Sequence, residues 1–129
     1  MELEYGQQMP YSLEAEQSVL GAILIDPACF PATLEELRAD YFYRPQHQQI
    51  YEILTRMFSL SRTMDFITIL DEVRREDVFE TEEDAKIYLT QLAQIVPSSA
   101  NVEAYCRIVR EKAYVRRLIT ASQIGRAHV

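Results

Sequence analysis

Few side chains in this sequence could carry covalent or acid–base chemistry. There are two histidines, His47 and His128, and two cysteines, Cys29 and Cys106. A Ser-His-Asp or Cys-His device needs a histidine within hydrogen-bond reach of its nucleophile. His47 follows Pro45 at the expected start of a helix, where packing or capping is the favoured role. A zinc site needs three or four grouped Cys, His or carboxylate ligands, and neither histidine lies near a cysteine pair. A phosphate-cradling loop needs closely spaced glycines, so that backbone N–H groups can approach the phosphates. The only glycines are Gly6, Gly21 and Gly125. No catalytic, cofactor-binding or metal-binding residue is therefore assigned, and nucleotide hydrolysis by this chain alone is not expected. The many carboxylates fall on polar helix faces, where solvation is expected. Cys29 and Cys106 read as reduced thiols used as small apolar packing residues.

The bulk numbers fit one soluble domain: 129 residues, 48% hydrophobic and 26% charged. No run of eighteen apolar residues suggests a membrane span. The first twenty residues hold Glu2, Glu4, Glu14 and Glu16 but no Lys or Arg, unlike a secretory signal, so a cytoplasmic protein is expected. The net charge of -7 opposes a domain whose main task is gripping DNA. That charge is uneven: residues 1–100 sum to -11 and residues 101–129 to +4. Such asymmetry suggests a docking surface, or equally a solvated helical face.

The elements that must position any site read as helices throughout. Residues 1–11 are expected to be a flexible arm. Ser12 is an N-cap, with Glu14 and Glu16 in the first turn favouring the positive helix end. Leu13, Val19, Leu20, Ile23 and Leu24 form one apolar stripe, and Asp26-Pro27 ends it. Gly21, costly inside a helix, suggests a close helix–helix crossing. A short helix over about 29–38 uses Phe30, Leu34 and Leu37. Pro45 opens a helix to about 60 that buries Ile50, Ile53, Leu54, Met57 and Phe58. Met64-Asp65 caps a helix over 66–76, with Phe66, Ile69, Leu70 and Val73 inward. Thr81 and Asp84 cap the next, whose apolar side is Ile87, Leu89, Leu92 and Ile95.

Residues 101–124 carry the longest helical pattern. Val102, Tyr105, Cys106, Val109 and Ala113 share a face that can dock on the preceding helices. Tyr114, Val115, Leu118 and Ile119 come later, and a helix that outruns its own domain usually meets something else. The expected fold is all-α: a compact bundle of about five to six helices over residues 12–100, followed by one long C-terminal helix.

Several blocks carry a resemblance. Ser12-Leu13-Glu14-Ala15-Glu16-Gln17-Ser18-Val19-Leu20-Gly21, closed by Asp26, resembles the opening signature of DnaB-type replicative DNA helicases. Asp40-Tyr41-Phe42-Tyr43-Arg44-Pro45 with His47 and Ile50 resembles the second block, with Tyr41 as an addition. Asp65-Phe66-Ile67-Thr68 resembles the third. Tyr88-Leu89, Leu92, Pro97-Ser98, Ala100-Asn101, Tyr105, Ile108-Val109 and Arg110-Glu111-Lys112-Ala113 resemble the fourth. The blocks fall in family order and spacing over about residues 10–120, which makes the assignment specific.

The resemblance implies the N-terminal domain of a ring-shaped hexamer that unwinds DNA 5′ to 3′ using ATP and Mg. In that domain a helical head precedes a helical hairpin. Hairpins pair between subunits as a trimer of dimers, and the collar recruits the primase C-terminal domain and, in some bacteria, a helicase loader. Residues 101–124 then correspond to the first hairpin arm. Its expected partner contacts are Tyr105, Ile108, Val109, Val115, Leu118 and Ile119, flanked by Arg110, Arg116 and Arg117. The motor and the second arm are not in this sequence, and residues 125–129 are expected to be a tail foreign to the family. Two other readings compete with this one. A helicase-binding C-terminal domain of a primase has related architecture, but it would follow a long catalytic region, and the blocks match the helicase side. A helical DNA-binding domain is disfavoured by the acidic residues 1–100. Arg107, Arg110, Arg116 and Arg117 could give only low, salt-sensitive affinity.

Overall fold

Local capping sets most of the helix starts. The structure, a computed structural model, describes the backbone of residues 9–127 and the side chains of 9–123. Among these residues there are six α-helices and no strand: α1 (Leu13–Ile25), α2 (Phe30–Leu34), α3 (Pro45–Ser59), α4 (Phe66–Arg75), α5 (Glu82–Leu92) and α6 (Val102–Ala127). The expected all-α bundle with a long last helix is what forms. The Ser12 hydroxyl accepts from the Ala15 N–H at 3.1 Å. Asp65 and Thr68 form a reciprocal capping box, each side chain bonding the other's backbone N–H at 2.9 Å. Thr81 accepts from the Asp84 N–H at 2.9 Å. Each bond satisfies an amide with no partner inside its own helix. Pro45 sits in the first turn of α3, as its fixed φ and missing N–H favour.

α1 is the axis of the bundle, and α3, α5 and α6 pack around it. Ala15, Val19, Leu20, Ala22, Ile23 and Leu24 are all buried, so α1 is apolar on most sides rather than along one stripe. Gly21 lies where α1 crosses the C-terminal end of α5. A Cβ placed there would run into the backbone carbonyl oxygen of Leu92. The close crossing suggested by that glycine is present.

Several expectations are corrected. The 29–38 helix is shorter: a 3-10 turn at Pro27–Cys29 leads into α2, and a second 3-10 turn follows at Ala39–Tyr41. Phe58, Ile87 and Ile95, expected in the core, are 42%, 47% and 42% exposed. α3 and α5 present narrower faces to their neighbours than Phe58 and Ile87 could cover, and Ile95 lies in the turn after α5, which ends at Leu92. Part of the expected arm lies within the described residues, and there Tyr11 stacks on Tyr43 with ring centroids 4.5 Å apart. Residues 1–8 lie outside the described residues. The backbone of α6 continues three residues past the boundary drawn at 124.

Candidate functional site: the long helix and the polar core that seats the head

Glu16 departs most from expectation. In the first turn of α1 it was expected to be solvated, yet it is buried. Its two oxygens accept from the Tyr43 N–H at 2.7 Å and the Arg44 N–H at 3.4 Å. These amides belong to the two residues that lead into α3, so a carboxylate from α1 holds the entry to another helix across the core. His47 Nδ1 lies 2.8 Å from the same carboxylate, and its Nε2 lies 2.7 Å from the Tyr88 hydroxyl. The Gln17 amide donates to the Tyr88 oxygen at 3.1 Å. One proton arrangement satisfies every group: His47 donates from Nδ1 to Glu16, Tyr88 donates to Nε2, and Gln17 donates to Tyr88. That tautomer is assigned from the network.

The Glu–His–hydroxyl alignment has the form of a proton relay, but His47 and Glu16 are 1% exposed and each polar atom is already paired within the head. The favoured role of His47, packing or capping, is the one its surroundings support. A second carboxylate expected in solvent, Glu72, is also buried, with Arg62 at 2.6 Å and Arg75 and Arg56 at 3.7 and 3.8 Å. Burial pushes the Cys29 thiol up to about 11 and Cys106 up to about 12, so both remain poor nucleophiles. Among the described residues no three His, Cys, Asp or Glu side chains gather as a metal site. No single described helix is long and apolar enough to cross a membrane.

α6 carries the candidate interaction surface. Val102, Cys106, Val109 and Ala113 form its buried line against the head. Val109, expected to contact a partner, is 1% exposed and belongs to the core. At 100° per residue, two lines flank the buried one. Tyr105, Ile108, Val115 and Ile119 lie on one side. Tyr105 and Ile108 border a groove with Leu13's neighbours Ser12 and Glu14 and with Ile95, Val96 and Pro97. Tyr114 and Leu118 lie on the other side, 47% and 70% exposed. Tyr114 and Ile95 were not among the expected contact residues. Ile95 sits in an apolar run that periodicity assigns to the core, whereas Tyr114 belongs to the later apolar set of α6 expected to meet something else.

The arginines divide. Arg110 Nη1 is 2.6 Å from Glu36, a contact within the head. Arg116 turns inward, donating to the Pro10 carbonyl at 3.0 Å and the Tyr41 carbonyl at 2.7 Å, with its guanidinium 5.2 Å from the Tyr43 ring centre. Burial pulls it below the ordinary arginine value, opposed by the charges of Glu16 and Tyr43. Arg117 lies 5.1 Å over Tyr41 and 5.8 Å over Tyr114, leaving it 56% exposed at the rim. Arg116 thus fixes the angle at which α6 leaves the head. Arg116→Ala is expected to cost about 1–2 kcal/mol and to raise amide exchange at Tyr43. Arg116→Lys should restore only part, because an ammonium cannot fork to two carbonyls as a guanidinium does. Unchanged exchange at Tyr43 would remove the positioning role.

Residues 8–111 match the family model described as DnaB-like helicase N terminal domain. The chain is 41% identical over 125 residues to the replicative DNA helicase DnaB of Rhodothermus marinus, covering 95% of this chain and 13% of that protein. It is 43% identical over 117 residues to the replicative DNA helicase DnaB of Geobacillus stearothermophilus, covering 90% of this chain and 26% of that protein. The chain therefore spans about a quarter or less of the length of these relatives. Its fold matches the crystal structure of the N-terminal domain of DnaB helicase from Mycobacterium tuberculosis with a TM-score of 0.84 and 37% identity, covering 95% of this chain and 87% of that one.

Proposed function

Because this chain belongs to the DnaB-like helicase N-terminal domain family, the N-terminal domain of replicative helicases, we propose that it serves as the assembly and protein-interaction domain of a hexameric, ATP-dependent 5′–3′ DNA helicase. In this reading α6 is the first arm of a helical hairpin, which pairs with the hairpin of a neighbouring subunit and helps recruit a primase C-terminal domain. A loader is a further partner in this reading. ATP and Mg belong to the motor of the parent protein.

The observation that carries this reading is the exposure of Val115 and Leu118, with the half-exposed Tyr114 beside them, toward the C-terminal end of α6. Apolar side chains on an extended helix gain about 25 cal/mol per Å² when covered, before association costs. Arg117 at their rim suits orientation and encounter rate rather than raw affinity. The test uses a longer chain of the same helicase that contains both hairpin arms. It is expected to dimerise in sedimentation and to retain the primase C-terminal domain in a pull-down. Leu118→Asp should weaken dimerisation about tenfold or more, since a carboxylate cannot be covered without a partner, while leaving the melting temperature of the monomer unchanged. A longer chain that stays monomeric and retains no primase domain would overturn the reading.

A further inference from the structure

α6 pairs with Glu36 and Asp40 of the head, but much of the remaining acidic balance of residues 1–100 is concentrated in one place. Glu76, Asp77, Glu80, Glu82, Glu83 and Asp84 fall within nine residues that contain no Lys or Arg. They span the loop from α4 to α5 and the first turn of α5, and all six are exposed. Only Glu76 forms an ion pair among the described residues, with Arg56 at 2.6 Å.

Beside them runs a groove of about 440 Å³. Val78, Phe79, Ile87 and Tyr88 supply its apolar lining, and Glu80, Asp84, Gln46 and Gln91 its polar edge. Asp84, Ile87, Tyr88 and Gln91 are spaced i, i+3, i+4 and i+7, so they form one line along α5, about 10 Å long at 1.5 Å per residue. Ile87 is 47% exposed there although its apolar type suits the core. Tyr88 is held from beneath by His47 and Gln17 and cannot swing out to close the groove. The groove therefore has an apolar floor and an acidic rim, Glu80 and Asp84, that forms no ion pair among the described residues, although Arg74 reaches the Glu82 carbonyl nearby.

We propose that this groove, on a side of the head that α6 does not cover, docks an amphipathic, basic helical segment of another protein. The apolar floor of Val78, Phe79, Ile87 and Tyr88, bordered by a line of about two helical turns along α5, accepts apolar anchors spaced i and i+3/i+4 from a facing helix. The uncompensated carboxylates around it select Lys and Arg on that helix's flanks and repel acidic ones. A second copy of this chain is disfavoured as occupant. Among the described residues its basic helix is α6, whose apolar line Val102, Cys106, Val109 and Ala113 is buried in its own head and whose Arg110 and Arg116 are engaged there.

The test uses this chain, isotope-labelled, with three synthetic eighteen-residue peptides. The first is a helix with Leu on one face and Lys and Arg on the flanks. The second replaces Lys and Arg by Glu, and the third keeps the basic composition with the Leu positions scrambled. The first is expected to shift the amide signals of Val78, Phe79, Ile87 and Gln91 saturably and with strong salt dependence, and the other two to leave them unmoved. Glu80→Lys and Ile87→Ser should each weaken binding about threefold or more, whereas Ile67→Ser, at an exposed position on α4, should have no effect. Thermal melting of each variant separates lost binding from lost fold. Equal response to the scrambled peptide would reduce the surface to a diffuse acidic patch and overturn the proposal. So would shifts that map to α6, or the same groove signals moving on concentration of the chain alone, which would make a second copy the occupant.

Discussion

Glu16→Ala is expected to destabilise the domain by about 3 kcal/mol or more, in the range for removing one partner from a buried charged network. Truncation strands three donors at once: the Tyr43 and Arg44 amides at the entry to α3, and His47 Nδ1. Each buried unpaired donor costs about 1–3 kcal/mol. Glu16→Gln keeps one carbonyl acceptor but points an NH₂ group at a donor, so it should fall between parent and alanine. Tyr88→Phe removes only the hydroxyl at the far end and should cost about 1–2 kcal/mol. Urea unfolding of the three variants gives the order Ala, Gln, Phe from worst to mildest. If Glu16→Ala unfolds within about 0.5 kcal/mol of the parent, the cost assigned to removing one partner from a buried network is wrong.

That network also explains why widely separated sequence blocks mark the family resemblance together. Glu16 and Gln17 come from the first block, Tyr43, Arg44 and His47 from the second, and Tyr88 from the fourth. In the fold they form one hydrogen-bonded set joining α1, α3 and α5. The set orients the head on which α6 is seated, because the Tyr43 whose amide binds Glu16 also stacks on Tyr11 and lies under Arg116. A disturbance at Glu16 therefore reaches the base of α6 through a short chain of packed groups.

What the sequence made legible follows from range. Ser12, Asp65 and Thr81 act on amides three residues ahead, and Pro45 acts on its own φ, so these helix starts could be read directly. Glu16 also sits in a first turn, and the local rule gave it the local role of a dipole partner. Its actual partners lie 27 to 31 residues away, and no periodicity encodes them. Arg116 is similar. With Arg110 and Arg117 it reads as a flank arginine, yet a turn of 100° from Arg117 sends it toward the Pro10 and Tyr41 carbonyls and leaves Arg117 at the rim. Phe58 and Ile87 fail for another reason: an apolar residue shows that burial is possible, while the width of the neighbouring helix decides whether it occurs; Ile95 fails because α5 ends at Leu92, before its helical face is completed. Val109 fails in the opposite sense, since it lies on α6 between two exposed lines and only the angular position separates core from surface.

Gly21→Ala should test the crossing of α1 and α5 by the sign of its effect. In an ordinary helix interior, glycine is worse than alanine by about 1 kcal/mol, so the substitution would stabilise α1 if glycine were there for no packing reason. Here the added methyl meets the Leu92 carbonyl oxygen, a backbone atom at the end of α5 that cannot rotate away as a side chain would. Ile95 beside it adds side-chain bulk. α5 must then shift outward from α1, which loosens the buried contacts of Leu89 and Leu92 and shifts Tyr88 relative to His47. Overpacking of this kind costs about 1–3 kcal/mol, more than the propensity gain returns. Thermal melting should therefore show a fall of several degrees, with Gly21→Val falling further because a β-branched residue brings two more carbons to the same place. A rise in melting temperature for Gly21→Ala would mean that α5 moves aside freely. The rigid α1–α5 seam, which also holds the floor of the acidic groove, would then have to be abandoned.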